Sequence, residues 1–379
     1  MHHMKLARFD VTAFLRDDWQ KRPRLIRNPW AAWANPLDPD ELAGLACEDD
    51  VEARIVTTKR RGWKVEHGPF PEKRFAKAGK KPWTLLVQGV DRHVPEVAAL
   101  IEPFRFIPDW RIDDVMVSYA SDGGGVGPHF DRYDVFLVQG LGTRRWQVGG
   151  RCDAATPLLP HDDLRLLADF TATDEWLLEP GDILYVPPGV AHHGVAASDD
   201  CMTYSVGFRA PSRAELIGYF ADDAVARLSD DDRFADPDLA QQDNPGEIGG
   251  PAIARLHDMV LDALRDRAAF ARWFGAYSTE RAGDDEVAVG CSDDDVRRQL
   301  AVGTPLVRDP ASRFAFIRQE GGVTLFVDGA VFDCAGATAA LAEQLCATTR
   351  FTPSADDPAA VTLIAQLIAQ GSLAFDTDP

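Results

Sequence analysis

The sequence predicts an α+β chain in three parts: a β-sandwich or barrel, then a helical segment, then a small domain of mixed helices and strands. Two features of the apolar rhythm carry this reading. Up to about residue 211 the apolar residues fall in short β-branched or aromatic runs bounded by Gly, Pro and Asp, whereas beyond it they recur three and four apart. Length is the third observation, because 379 residues exceed one ordinary domain and suffice for several, each with its own core.

In chain order, strands are expected at Ala53 to Thr58, Trp83 to Gln88, Val115 to Ala120, Val135 to Gln139, Ile183 to Val186 and Met202 to Phe208. Helices are expected at Val11 to Trp19 and at Val94 to Pro103. From Ser212 to Tyr277 the spacing of Ala214, Ile217, Phe220, Ala224 and Leu228, resumed over Ile253 to Phe274, predicts helices. The Asp-, Pro-, Gln- and Gly-rich stretch Asp230 to Gly250 reads as a long loop dividing them into a pair. After the acidic run Asp284 to Asp295 come a helix at Asp293 to Ala301, strand-like runs at Phe314 to Arg318 and Val323 to Val327, and helices at Ala337 to Thr348 and Pro358 to Gln370. That order suggests a small winged-helix-like domain, and the expected divisions are 1–211, 212–280 and 281–379.

Composition narrows the function classes. Hydrophobic residues at 45% and charged residues at 26% suit a globular protein, and no apolar run reaches membrane-spanning length. The first ten residues lack the apolar core of a secretory signal, so a cytoplasmic location is expected. Six scattered cysteines contain no Cys-x-x-Cys pair and read as buried small apolar residues rather than a zinc or redox site. The formal charge of -20 would repel nucleic acid and anionic membranes, and favours a cationic partner. Residues 281–379 carry 7 basic and 15 acidic side chains, which argues against the DNA-binding role usual for a winged helix.

The chemistry concentrates in two motifs. In Gly123-Gly124-Gly125-Val126-Gly127-Pro128-His129-Phe130-Asp131 a glycine-rich turn leads into a His-x-Asp pair, and a strand period of two would put His129 and Asp131 on one face. About sixty residues on, Glu179-Pro180-Gly181-Asp182 opens a strand that ends at Pro187-Pro188-Gly189 and is followed by His192 and His193, either of which offers a third ligand. Two imidazoles and one carboxylate form the facial triad of non-haem iron(II), which leaves positions open for a bidentate 2-oxo acid and dioxygen.

These stretches, with Tyr204-Ser205-Val206-Gly207-Phe208-Arg209-Ala210-Pro211 and the opening Phe14-Leu15-Arg16-Asp17-Asp18-Trp19-Gln20-Lys21-Arg22-Pro23, resemble the bacterial ribosomal oxygenases, JmjC-type arginine hydroxylases. The likeness is close over residues 105–215 and loose after about 280. It implies a double-stranded β-helix (jelly-roll, JmjC/cupin) domain, a helical dimerisation segment and a winged-helix-like domain. It implies an enzyme, a 2-oxoglutarate-dependent dioxygenase, with Fe(II) as cofactor and 2-oxoglutarate and dioxygen as co-substrates, hydroxylating an arginine of a large-subunit ribosomal protein at the β-carbon. A homodimer is implied as well.

Carried over residue by residue, the iron ligands are His129, Asp131 and His192, the last preferred to His193 for its spacing after Pro187-Pro188-Gly189. Arg144, fifteen residues after His129, is the expected partner of the distal carboxylate of 2-oxoglutarate, with Arg145 pointing the opposite way along the strand. Ser118 and Ser205, on bordering strands, are expected to add hydroxyl contacts. Alternation puts Asp114, Met116 and Ser118 on one face, and His129, Asp131 and Tyr133 on another that looks at the same centre. Tyr133, Met116 and Asp114 match in type the aromatic, methionine and aspartate that hold an arginine side chain in the family. The iron site alone would serve equally for hydroxylation of another residue such as histidine, for N-methyl-lysine demethylation, or for a non-catalytic cupin that senses or binds a ligand.

Overall fold

The computed structural model describes residues 5–59, 62–76, 79, 81–281, 290–353 and 357–376. It divides into two compact units, Met1–Ala210 and Pro211–Pro379.

The first unit contains helices α1 (Val11–Asp17), α2 (Pro39–Leu45), α3 (Lys73–Ala76) and α4 (Pro95–Ala98). Its strands are β1 (Arg24–Ile26), β2 (Ala53–Thr58), β3 (Trp63–His67), β4 (Trp83–Val87), β5 (Ile112–Ala120), β6 (Asp134–Leu141), β7 (Arg144–Arg151), β8 (Ala172–Leu178), β9 (Ile183–Val186), β10 (Val190–Ala196) and β11 (Cys201–Phe208). Eight of them form a sheet in the order β1-β9-β6-β11-β5-β4-β2-β3, and β10-β7-β8 form a second. A bridge between His129 and His192 adds one more rung at the β10 edge of the small sheet. This is the jelly roll.

The period of two divides the large sheet's side chains between its faces. Phe136 and Val138 of β6, Tyr185 of β9, Tyr204 and Phe208 of β11 and Val115 and Val117 of β5 point outward into a core closed by the N-terminal segment with Phe14 and Trp19. The rings interlock, Phe14 edge-on to Tyr185 at 4.9 Å and Trp19 stacked on it at 5.6 Å. Each such buried aromatic contributes about 2 kcal/mol from apolar area. The alternate residues Val135, Leu137, Leu184 and Val186 face the small sheet and pack on Trp146 and Val148. Further along the same inner face stand Thr84, Ser118, Thr203 and Ser205, which leave a space between the sheets.

A buried acid at the start of β6 ties that strand to β9, to the segment after α1 and to the turn before β5. Asp134 accepts from Tyr185 Oη at 2.6 Å, Gln20 Nε2 at 2.8 Å and Arg111 Nη2 at 3.1 Å, so its charge is paired and hydrogen-bonded. It holds the end of the chain segment that carries Asp131 and Tyr133.

The second unit begins with α5 (Arg213–Arg227), started by a Ser212–Glu215 capping box, and α6 (Gly250–Arg265). The stretch expected to continue α6 to Phe274 is broken at Asp266, whose carboxylate caps α7 (Arg267–Thr279) through Ala268 N and Ala269 N. A capping aspartate satisfies amide hydrogens that a continuous helix would use internally, so three helices replace the expected pair. Beyond them lie α8 (Asp293–Ala301), β12 (Leu306–Arg308), β13 (Phe314–Gln319), β14 (Gly322–Val327), β15 (Ala330–Ala335), α9 (Ala337–Ala347), β16 (Arg350–Phe351), α10 (Pro358–Ala369) and β17 (Leu373–Phe375). Leu325, Val327, Leu341, Leu345, Ile364 and Leu367 close their core. Residues 284–289 of the expected acidic run lie outside the described residues.

Two further expectations change. The helix expected at Val94 to Pro103 is only the single turn α4 followed by a 3-10 turn at Glu102–Phe104: Leu100 N and Ile101 N bond three residues back, to Val97 O and Ala98 O, and Pro103 has no amide hydrogen to restore the α-helical pattern. Of the cysteines, Cys201 and Cys334 are buried while Cys47, Cys152, Cys291 and Cys346 are half-buried, and all six are free thiols.

Candidate metal centre and its cavity

His129 and Asp131 do not belong to a regular strand. They lie in an extended segment before β6, and backbone bonds replace the strand in fixing them: His129 N to His192 O at 3.0 Å, His192 N to His129 O at 2.8 Å, and Gly189 N to Asp131 O at 2.7 Å. The two motifs are thereby tied to each other directly, although more than fifty residues separate them. Gly127 makes the approach possible. Its φ is +90°, and a Cβ there would stand 2.9 Å from both Leu166 and Trp63.

The ligand atoms of His129, Asp131 and His192 lie within 4.8 Å of one another. His192 Nε2 is 3.5 Å from Asp131 Oδ2, and the two imidazole centroids are 4.3 Å apart. Each histidine presents its other nitrogen to a backbone carbonyl, His129 Nδ1 to Gly127 O at 3.0 Å and His192 Nδ1 to Val190 O at 3.0 Å. A carbonyl can only accept, so Nδ1 carries the proton and the Nε2 lone pair is left for a metal. Burial, reinforced by the neighbouring His129, lowers His192 to about 4, so its imidazole is neutral near pH 7, the form a metal requires. The donor set therefore fits a divalent transition metal with open positions.

Strand alternation separates the paired candidates. His192 faces the cavity at 1% exposure, whereas His193 points to the other face of β10 with its ring edge-on to Phe170 at 6.1 Å. Arg144 is 4% exposed and lines the cavity, while Arg145 pairs with Glu175 at 3.0 Å on the outside. Arg144 Nε and Nη2 have no hydrogen-bond partner among the described residues. A buried guanidinium without an acceptor is costly, and a bound carboxylate would meet it with two parallel bonds.

The cavity, of about 480 Å³, brings together all nine residues singled out from the sequence: His129, Asp131, His192, Arg144, Ser118, Ser205, Tyr133, Met116 and Asp114. Asp114 accepts from Gln88 Nε2 at 2.7 Å and Gly89 N at 2.9 Å. Burial, with Asp91 and Asp113 nearby, raises its carboxyl to about 6. Tyr133 is the most exposed of the nine, at 43%. Sequence reasoning missed Thr84, Gln88, Trp146, Thr203 and the Asp163–Leu166 stretch, which also line the space. The same alternation would have found Trp146, two residues after Arg144, but no local signal places Asp163–Leu166 against it.

A jelly roll with a two-histidine, one-carboxylate set between its sheets and, in the same cavity, a buried arginine whose Nε and Nη2 lack partners among the described residues defines the JmjC class of oxygenase fold. Residues 99–216 match the JmjC domain family and residues 261–374 the ROXA-like winged helix. The chain is 38% identical to the ribosomal protein uL16 3-hydroxylase of Escherichia coli K12, over 96% of this chain and 97% of that one. The crystal structure of E. coli ycfD superposes with a TM-score of 0.90 at 35% identity, covering 99% of this chain and 100% of that one. The E. coli ribosomal oxygenase YcfD in complex with cobalt and 2-oxoglutarate superposes at 0.87 and 34% identity, covering 98% and 99%. The chain belongs to the JmjC-domain ribosomal oxygenase family.

Removal of one ligand separates the histidines. His192→Ala is expected to weaken Co(II) binding by more than the about 10–100-fold that loss of an outer partner costs. His193→Ala should leave it unchanged. Titration of each variant with Co(II), followed by absorbance, checks both.

Proposed function

We propose that this protein is an Fe(II)- and 2-oxoglutarate-dependent hydroxylase that acts on an arginine side chain, at the β-carbon, in a large-subunit ribosomal protein. One observation carries the reading: a candidate three-ligand metal set and a buried arginine whose Nε and Nη2 lack acceptors among the described residues occupy one cavity, whose other walls include an aromatic face and an acid. His129, Asp131 and His192 would hold the iron. When bound, iron supplies the activation of dioxygen, with 2-oxoglutarate oxidised to succinate and carbon dioxide as one oxygen atom passes to the substrate.

The chain's own residues orient the reactants. Arg144 holds the distal carboxylate of 2-oxoglutarate, with the Ser118 and Ser205 hydroxyls on the facing strands adding contacts. Tyr133 offers a ring face to the substrate guanidinium, Asp114 a carboxylate and Met116 a flexible apolar wall. His192 and Arg144 are buried, so bulk water does not compete for these two side chains. A net charge of -20 favours a cationic ribosomal-protein segment over nucleic acid as partner. We place the activity in the cytoplasm, where ribosomal proteins are available; among the described residues no helix is long and apolar enough to cross a membrane.

We assign residues 1–211 to the oxygenase domain, 212–280 to dimerisation and 281–379 to a winged-helix-like domain. Ile217, Val225 and Leu228 in and after α5, and Ile253 and Val260 of α6, are all more than half exposed, an apolar surface suited to a second copy. Light scattering is expected to give twice the chain mass, and Val225→Asp with Val260→Asp the mass of one chain. A wild-type monomer overturns the dimer.

Mass spectrometry of large-subunit ribosomal proteins should find one arginine gaining an oxygen atom in a strain with this protein, unmodified when the protein is deleted or carries His129→Ala. An oxygen on histidine, or loss of a methyl group from lysine, would move the assignment to another residue. Tight 2-oxoglutarate binding with no peptide turned over would favour a sensor.

The pH dependence tests Asp114. Its carboxyl titrates at about 6, and once protonated it has no charge to offer a guanidinium. The kcat/KM for an arginine peptide is therefore expected to fall as pH drops through that value, and Asp114→Asn should be slow throughout and lack this limb.

A further inference from the structure

Within Met1–Ala210, every buried side-chain atom left without a hydrogen-bond partner among the described residues belongs to one of three residues: Thr84 Oγ1, Trp146 Nε1, and Arg144 Nε and Nη2. All three line the same cavity. Folded proteins rarely leave such groups unpaired, and their concentration in one place calls for a ligand that would pair them. Thr84 is fully buried and Trp146 is 5% exposed, so bulk water does not solvate them.

Strand register brings them to one end of the cavity. Thr84 of β4 pairs with Ala120, and Arg144 of β7 pairs with Ala196. Ala120 and Ala196 pack together with Cys201 in a buried cluster, so their partners converge from the two sheets. Trp146 follows on the same face of β7, its ring 5.9 Å from the Arg144 guanidinium carbon and 5.9 Å from the His192 ring. Small neighbours make the room. A Cβ on Gly194 would stand 2.7 Å from the Trp146 ring.

The donor inventory specifies the guest. Guanidinium and indole nitrogens can only donate, and a threonine hydroxyl can donate, so the group that satisfies all of them must accept several hydrogen bonds. A carboxylate does so with two oxygens and about four lone-pair sites. Resting on the reading of Arg144 as the 2-oxoglutarate anchor, we propose that Thr84 and Trp146 are further co-substrate-binding residues, donating through Oγ1 and Nε1 to the same distal carboxylate. The socket then favours a dicarboxylic 2-oxo acid over a monocarboxylic one, because only the former pairs the four buried donors at the far end.

Calorimetric titration of the Mn(II)-loaded full-length protein tests this without turnover. Thr84→Val and Trp146→Phe keep most of each side chain's volume, and each is expected to weaken 2-oxoglutarate binding by about tenfold or more, the effect of losing one hydrogen bond to a charged group. Binding of 2-oxobutyrate, which shares the 2-oxo acid head but lacks the far carboxylate, should be unchanged in both variants, as should Mn(II) affinity. Variants that bind 2-oxoglutarate like the wild type overturn the proposal. Equal losses for 2-oxobutyrate or for Mn(II) would show a packing role and overturn it too. Failure of the wild-type protein to bind 2-oxoglutarate would instead remove the Arg144 reading on which it stands.

Discussion

The large sheet of the first unit must satisfy two environments with one set of strands. On its outer face Phe136, Tyr185, Tyr204 and Phe208 are fully buried against the N-terminal segment, and this apolar packing drives that part of the fold. On the inner face the same strands carry Thr84, Ser118, Thr203 and Ser205 into a cavity that a purely structural sandwich would fill with methyl groups. Stabilisation from the outer core offsets the cost of keeping the inner face polar. Because side chains alternate between the faces over Asp114–Ala120 and along β11, a shift of one residue there would exchange the two sets and destroy both.

The metal-ligand geometry depends on the same frame. His129 and Asp131 lack a strand of their own, so their positions come from backbone bonds to β10 and to the turn before it, with Asp134 holding the far end of their segment. Both histidines use a carbonyl two residues upstream to fix the tautomer, which makes the ligand set a property of backbone path as much as of side-chain identity. Electrostatics complete the division of labour: Arg144, whose Nε and Nη2 lack partners among the described residues, lines the same cavity as Asp113 and Asp114. A site left unpaired in this manner binds groups of opposite charge strongly, since water is not there to compete.

Much of this was legible in the chain. Short β-branched runs located six strands, and the motif glycines and histidines marked the candidate ligands, because a metal site needs particular side-chain chemistry and residue type is what a sequence states directly. The period of two also separated Asp114, Met116 and Ser118 from their neighbours without any coordinates. Strands such as β7, β8 and β10 were less visible, since Arg145, Gln147, Glu175 and His193 on their outward faces dilute the apolar signal. The break between α6 and α7 was hidden for a related reason: apolar spacing continues across Asp266, and only the local backbone reveals that its carboxylate caps a new helix.

The sequence by itself determined the residue types at the site, the order of its parts and the acidic character of the chain, all of which are local or additive properties. The residues alone left each adjacent pair open and the resemblance preferred His192 and Arg144; tertiary structure decided that these two face inward and His193 and Arg145 outward, because that depends on which face of β10 and β7 packs on the large sheet. It also decided that Thr84, from a strand some sixty residues before Arg144, stands with it at one end of the cavity. Register between distant strands is set by the packing of the whole sandwich, and no window of sequence contains it.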